Sequence, residues 1–174
     1  MSDFMELTKK EKTTKYLIYC AVIVVLSLIQ NVCASWFEIN GARCFFLIPG
    51  AVLLTLGEDE KAAALLGLFA GVLWDSVAAE NTAFNAVFFM VFCYAASLLL
   101  SHILRETFWV RVLIAAFACM LYTFLYWLFF VGAKKSGGTQ ALFSFYFPSF
   151  IYSAVVGIIL DFIFTPLKRK LNKE

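Results

Sequence analysis

Two carboxylates stand inside otherwise apolar runs: Asp75 in GLFAGVLWDS (residues 67–76) and Asp161 in GIILDF (residues 157–162). Paired carboxylates can work as acid and base when they share a proton at close range. The contexts LWDS and ILDF, however, lack the GxGD pattern of intramembrane aspartyl proteases. The one histidine, His102, falls where an apolar run gives way to a basic loop, remote from any candidate nucleophile. Cys20, Cys33, Cys44, Cys93 and Cys119 are scattered through apolar stretches with no CxxC pair and no neighbouring histidine, so the spacings of metal and redox motifs are missing. They read as small buried hydrophobes. No enzymatic activity, cofactor or metal site is therefore expected.

The elements that hold these residues must be built for lipid. The chain has 174 residues, of which 63% are hydrophobic, 18% aromatic and only 15% charged, and its mean hydropathy is +0.86. Soluble domains carry about 25% charged residues, so the composition is that of an integral membrane protein. The net charge of +2 is small, and the basic residues gather toward the two termini. A nucleic-acid partner is not expected.

A helix needs about 20 apolar residues to cross a hydrocarbon core of about 30 Å, because lipid offers no partner to a bare amide. Five stretches approach that length: Tyr16 to Phe37, Ala62 to Ala79, Thr82 to Ser101, Val112 to Ala133 and Ala141 to Leu167. The 22-residue run from Tyr16 to Phe37 exceeds a usual signal-peptide core and is read as a retained first helix. A sixth stretch, Cys44 to Gly57, has 14 residues and contains Pro49. It either spans with a bend or re-enters.

The charges decide in favour of spanning. With six spans, Lys9, Lys10, Lys12, Lys15, Lys61, Arg105, Arg111, Lys168, Arg169, Lys170 and Lys173 share one side, against Arg43, Lys134 and Lys135 on the other. Were the short stretch not to cross, the split would be 6 against 8 and the expected cytoplasmic excess of Lys and Arg would vanish. The expected fold is thus an all-α polytopic bundle of six transmembrane helices with both termini cytoplasmic. Residues 1–15 form a basic N-terminus, 16–167 the membrane domain and 168–174 a basic tail. Trp36, Trp109 and Trp127 fall near span ends and read as interfacial anchors.

Ala63, Gly67, Gly71, Asp75 and Ala79 recur every four residues, which puts them on one helix face. Small residues there let another backbone approach closely. The spacing fits internal packing, a docking groove for another protein's helix, or the wall of a ligand cavity. Asp75 lies about 20 Å from the basic end of its helix at 1.5 Å per residue, where an ionised group must face protein, water or a partner. It could also cap a helix end at Trp74-Asp75-Ser76. Asp161, near Lys168, is expected to snorkel toward the membrane surface or to pair with the basic tail. Pro49-Gly50 marks a candidate kink or cavity, and Gln30, Asn31, Asn81 and Asn85 supply polar groups near the opposite side. Gly71 to Asp75 (GVLWD) and Gly157 to Asp161 (GIILD) form a faint internal echo, as inverted halves would place it.

A Lys-rich start, a first span ending in Gln30-Asn31, a short Pro-bearing second span, GLFAGVLWDS in the third and a basic tail after Thr165-Pro166-Leu167 together resemble the MreD family. The likeness runs from about Tyr16 onward and is concentrated in Gly67, Gly71, Asp75 and Pro49. It departs at Gly50, where the family often has an acidic residue. The resemblance implies a non-enzymatic scaffold of the bacterial inner membrane that binds MreC, a protein with one transmembrane helix. Through MreC it would link MreB filaments to peptidoglycan synthases of the RodA and class B penicillin-binding type. On this reading Ala63, Gly67 and Gly71 meet a partner helix or the second span, with Asp75 fixing orientation. The family's six-helix arrangement is also similar to the S components of energy-coupling-factor vitamin transporters, which supplies an alternative: a substrate-binding membrane subunit. The basic and aromatic loop HILRETFWVR (residues 102–111) suits lipid headgroups as well as a filament protein, with lipid contact the favoured expectation, and a homo-oligomer is an alternative assembly.

Overall fold

The structure, a computed structural model, describes residues 9–32, 44–78, 83–132 and 145–172. All regular elements among these residues are helical: α1 (Lys9–Val32), α2 (Leu47–Thr55), α3 (Glu60–Asp75), α4 (Phe84–His102), α5 (Phe108–Tyr126) and α6 (Phe147–Asn172), with a π-helical turn (Trp127–Gly132) continuing α5. Four of the six, α1, α4, extended α5 and α6, are long and apolar enough to cross a bilayer. Their outward faces carry exposed Leu17, Val25, Leu113, Phe117, Ile159 and Phe162. Such surface is at home in hydrocarbon, where each helix satisfies its own amides.

Helix α3 has 16 residues and α2 has nine, about 24 Å and 14 Å of helix at 1.5 Å per residue. Helix α2 sits at the centre and touches each of the other five. All nine of its residues are buried. A helix this short leaves a large share of its amides and carbonyls without partners in its own ladder, and such buried groups must find partners within the bundle.

Side chains from the long helices fill that need. At the start of α2, Leu47 N–H donates to Gln30 Oε1 of α1 at 2.9 Å and Phe45 N–H to Ser153 Oγ of α6 at 2.9 Å. At its end, Lys168 Nζ of α6 donates to the Leu53 carbonyl at 3.4 Å and to the Leu56 carbonyl. The ammonium also faces the negative end of the helix dipole. Pro49 is the third residue of α2, in the first turn, where a missing N–H costs nothing.

Several expectations change at this level. Pro49 neither breaks nor bends a span, because the helix begins just before it. Pro49 and Gly50 are packed, not cavity-lining: a Cβ on Gly50 would lie 2.4 Å from Leu26 Cδ1, and one on Gly157 would lie 3.1 Å from Pro49 Cβ. Small residues thus bring α1 and α6 onto α2. Among the described residues, Lys9 to Lys15 already belong to α1, and α6 continues through Pro166 to Asn172. That continuation turns Lys168 inward. Cys33, Trp36, Arg43, Ala79, Asn81, Lys134 and Lys135 lie outside the described residues.

Candidate functional site

The glycine face of α3 is met by α4 of the same chain. Built onto Gly67, a Cβ would stand 2.5 Å from the Phe89 carbonyl oxygen, and on Gly71, 2.4 Å from Ala86 Cα and 2.5 Å from the Asn85 carbonyl oxygen. The register is antiparallel and continues to the other end of the pair, where Glu60 Oε1 faces His102 Nε2 at 3.2 Å and accepts from Ser101 Oγ at 3.3 Å. Ala63, fully buried, lies on the same face. Where a partner helix or the second span was expected, α4 therefore fills the position and leaves no room for another backbone.

Asp75 completes this contact. Its Oδ1 accepts from Asn85 Nδ2 at 2.7 Å and from Asn85 N–H at 3.3 Å, and its Oδ2 accepts from Ala86 N–H at 2.8 Å. The carboxylate thus serves the free amides and positive dipole end at the start of α4, an N-cap supplied from ten residues upstream. Asn85 is itself held by Tyr122 of α5, whose hydroxyl donates to Asn85 Oδ1 at 2.7 Å. Around this triad Trp74, Phe84, Tyr122, Tyr126 and Phe130 line an aromatic cavity of about 240 Å3. The ring centroids of Trp74 and Tyr122 are 5.2 Å apart, within the range of favourable edge and offset contacts. The π-helical turn after α5 lies against this cavity, a placement often seen near functional sites.

The opposite end gathers the charges. Lys15 Nζ pairs with Glu58 Oε2 at 2.6 Å, Tyr19 donates to Glu58 Oε1 at 3.0 Å, and Ser97 Oγ donates to the Glu58 carbonyl at 2.5 Å. The α2–α3 connection, which turns at Gly57 with φ of 77°, is thereby tied to α1 and α4. Asp161, expected to pair with the tail, instead takes a two-pronged contact from Arg111 in the first turn of α5: Nε to Oδ1 at 2.8 Å and Nη2 to Oδ2 at 3.0 Å. Such a fork fixes geometry as well as charge. Asp75 and Asp161 belong to separate clusters, one with Asn85 and Tyr122 and the other with Arg111 and Thr165.

Between α4 and α5 the surface opens into an apolar seam. One part, of about 450 Å3, is lined by Val87, Val91, Phe117, Leu121 and neighbouring residues. A second, of about 380 Å3, shares Phe92, Ala95 and Phe117 with it and continues to Leu99 and Leu113. Sequence reasoning missed this seam, as it missed Gln30, Ser153, Arg111 and Lys168 as inter-helix partners. The seam has no motif, and the other four act across 17 to 115 residues of chain.

A buried short helix capped from its neighbours, a glycine-packed antiparallel pair and an outward apolar belt define a polytopic helical membrane protein. A family model described as rod shape-determining protein MreD matches residues 11–171, and the chain belongs to that family. It is accordingly a membrane protein of rod-shape determination and a member of the rod-shape complex. No curated protein and no solved structure matches the chain significantly.

Proposed function

We propose that the chain is a non-enzymatic scaffold in the bacterial cytoplasmic membrane, with both termini cytoplasmic, that binds the single transmembrane helix of MreC in the seam between α4 and α5. Through MreC it links MreB filaments to RodA and its class B penicillin-binding partner. The observation that carries this reading is the seam itself. It runs from Phe84 to Leu99 along α4, about 22 Å at 1.5 Å per residue, which is most of the length of a single crossing helix. Its walls are apolar side chains, and Ala95 leaves the depth that close helix packing uses. The glycine face of α3, already closed by α4, does not compete for this role.

The test is coexpression with tagged MreC. Ala95→Trp fills the seam and should lower recovery on MreC by about tenfold or more, equivalent to at least ~1.4 kcal/mol. Leu65→Trp on the exposed side of α3 should leave recovery unchanged. Full recovery with Ala95→Trp refutes the seam as the docking place. One observation favours a second reading, a substrate-binding subunit similar to the vitamin S components: the aromatic cavity around Trp74 and Tyr122. Native mass spectrometry separates the two, since the scaffold retains a protein chain and the substrate-binding subunit a vitamin-sized mass.

A further inference from the structure

At the charged end of the bundle, Glu106, Arg111, Thr165, Lys168, Arg169 and Asn172 line a cavity of about 250 Å3, room for about eight waters at ~30 Å3 each. Its donors are only partly used. Both oxygens of Asp161 are spent on Nε and Nη2 of Arg111, and Thr165 Oγ1 accepts from Nη2 at 3.1 Å. Arg111 Nη1 is left facing Glu106 Oε1 at 3.7 Å. Lys168 gives protons to two carbonyls of α2 and so keeps a third, with Glu106 Oε1 at 3.9 Å as its charged neighbour. Arg169 makes no ion pair among the described residues. Asn172 Oδ1 is buried with no hydrogen-bond partner among them.

One oxygen of a 46% exposed carboxylate thus stands at long range between two cations. A group with several oxygens would satisfy both, and Arg169 and the Thr165 hydroxyl as well. We propose that this cavity binds the phosphate diester of an anionic phospholipid headgroup, with Arg111, Lys168 and Arg169 on the phosphate and the Asn172 amide on the neutral end of the headgroup. Lipid is the source that the location favours. The cavity is lined by Arg111 in the first turn of α5, the same turn that carries Trp109, 70% exposed, and interfacial Trp and basic side chains mark the headgroup level. Glu106 then acts as an internal competitor that a bound phosphate displaces.

The test uses the full chain in neutral detergent, loaded with phosphatidylglycerol in mixed micelles and read by native mass spectrometry. The wild type should retain one lipid. Arg169→Gln, which removes no contact that holds the fold, should weaken retention about tenfold, and Glu106→Gln should strengthen it. Lys170→Gln, on the same last turn but outside the cavity, should match the wild type. Inorganic phosphate at millimolar concentration should displace the lipid. If it instead raises the thermal midpoint of the lipid-free protein while phosphatidylglycerol is not retained, the same cations bind phosphate from solution, and the lipid is overturned as its source. Equal retention by wild type and Arg169→Gln, or equal loss in Arg169→Gln and Lys170→Gln, overturns the site itself.

Discussion

Replacing Gly71 with alanine should destabilise the protein, although the same exchange in an ordinary helix stabilises it by about 1 kcal/mol. The added Cβ would stand 2.4 Å from Ala86 Cα, 2.5 Å from the Asn85 carbonyl oxygen and 2.6 Å from Ala86 N. All three are backbone atoms, so no rotamer change relieves the clash. Contacts between such atoms settle at about 3.5 Å or more, so α3 and α4 must part by ~1 Å locally. Four residues further on, the Asp75 bonds to Asn85 Nδ2 and Ala86 N–H, now 2.7 and 2.8 Å, would be stretched out of range by the same movement. Overpacking costs about 1–3 kcal/mol and the lost cap about 1 kcal/mol, which leaves a net loss of about 1–3 kcal/mol after the propensity gain of about 1 kcal/mol. Reversible denaturation in mixed micelles, followed by tryptophan fluorescence, reads this quantity. Val72→Ala, one residue along and exposed, serves as control. A Gly71→Ala protein as stable as the wild type, or more so, refutes the close packing, because propensity alone would then account for it.

Other changes isolate the caps and the buried pair. Gln30→Leu strips the acceptor from Leu47 N–H and should cost about 1–3 kcal/mol, whereas Asn31→Leu, which loses bonds only to Ser27 of its own helix, should stay within about 0.5 kcal/mol. Equal effects of the two on the thermal midpoint would show that α2 does not depend on α1 for its first turn. Arg111→Met strands Asp161, 3% exposed, and should cost about 3–5 kcal/mol. Adding Asp161→Leu should restore most of that stability, and failure of this rescue would mean that the pair does more than neutralise itself.

How much of this was legible follows from what each signal encodes. Hydropathy reports the length of apolar helix, so the long spans appear in the sequence nearly as they fold. The four-residue spacing of Ala63, Gly67 and Gly71 announces a close approach but carries no address, and α4 proved to be the neighbour. Asp75 was readable as a cap only for its own turn, because capping rules are local and the amides it serves belong to residues 85 and 86. Sequence distance points Asp161 to the nearby lysine, whereas the guanidinium that reaches it comes from 50 residues away. Pro49 looked like a break because a helix boundary inside so short a run is invisible without its caps. Gln30 and Ser153 become intelligible only once α2 is known to be buried along its whole length.

The capping of α2 also dictates an order of assembly. As the chain emerges from the ribosome, α2 meets Gln30, made 17 residues earlier. Its other two partners arrive late: Ser153 is synthesised 108 residues after Phe45, and Lys168 115 residues after Leu53. Until then a nine-residue helix with bare ends cannot enter lipid without a penalty of several kcal/mol for each unmet group. The insertion machinery must therefore shelter α2 while three longer segments go past it, and the bundle closes from its last helix inward. Nascent chains truncated before α6 should leave the α2 region open to water-soluble thiol reagents at Cys44, and full-length chains should seal it. Membrane integration of this protein is complete only once α6 has arrived.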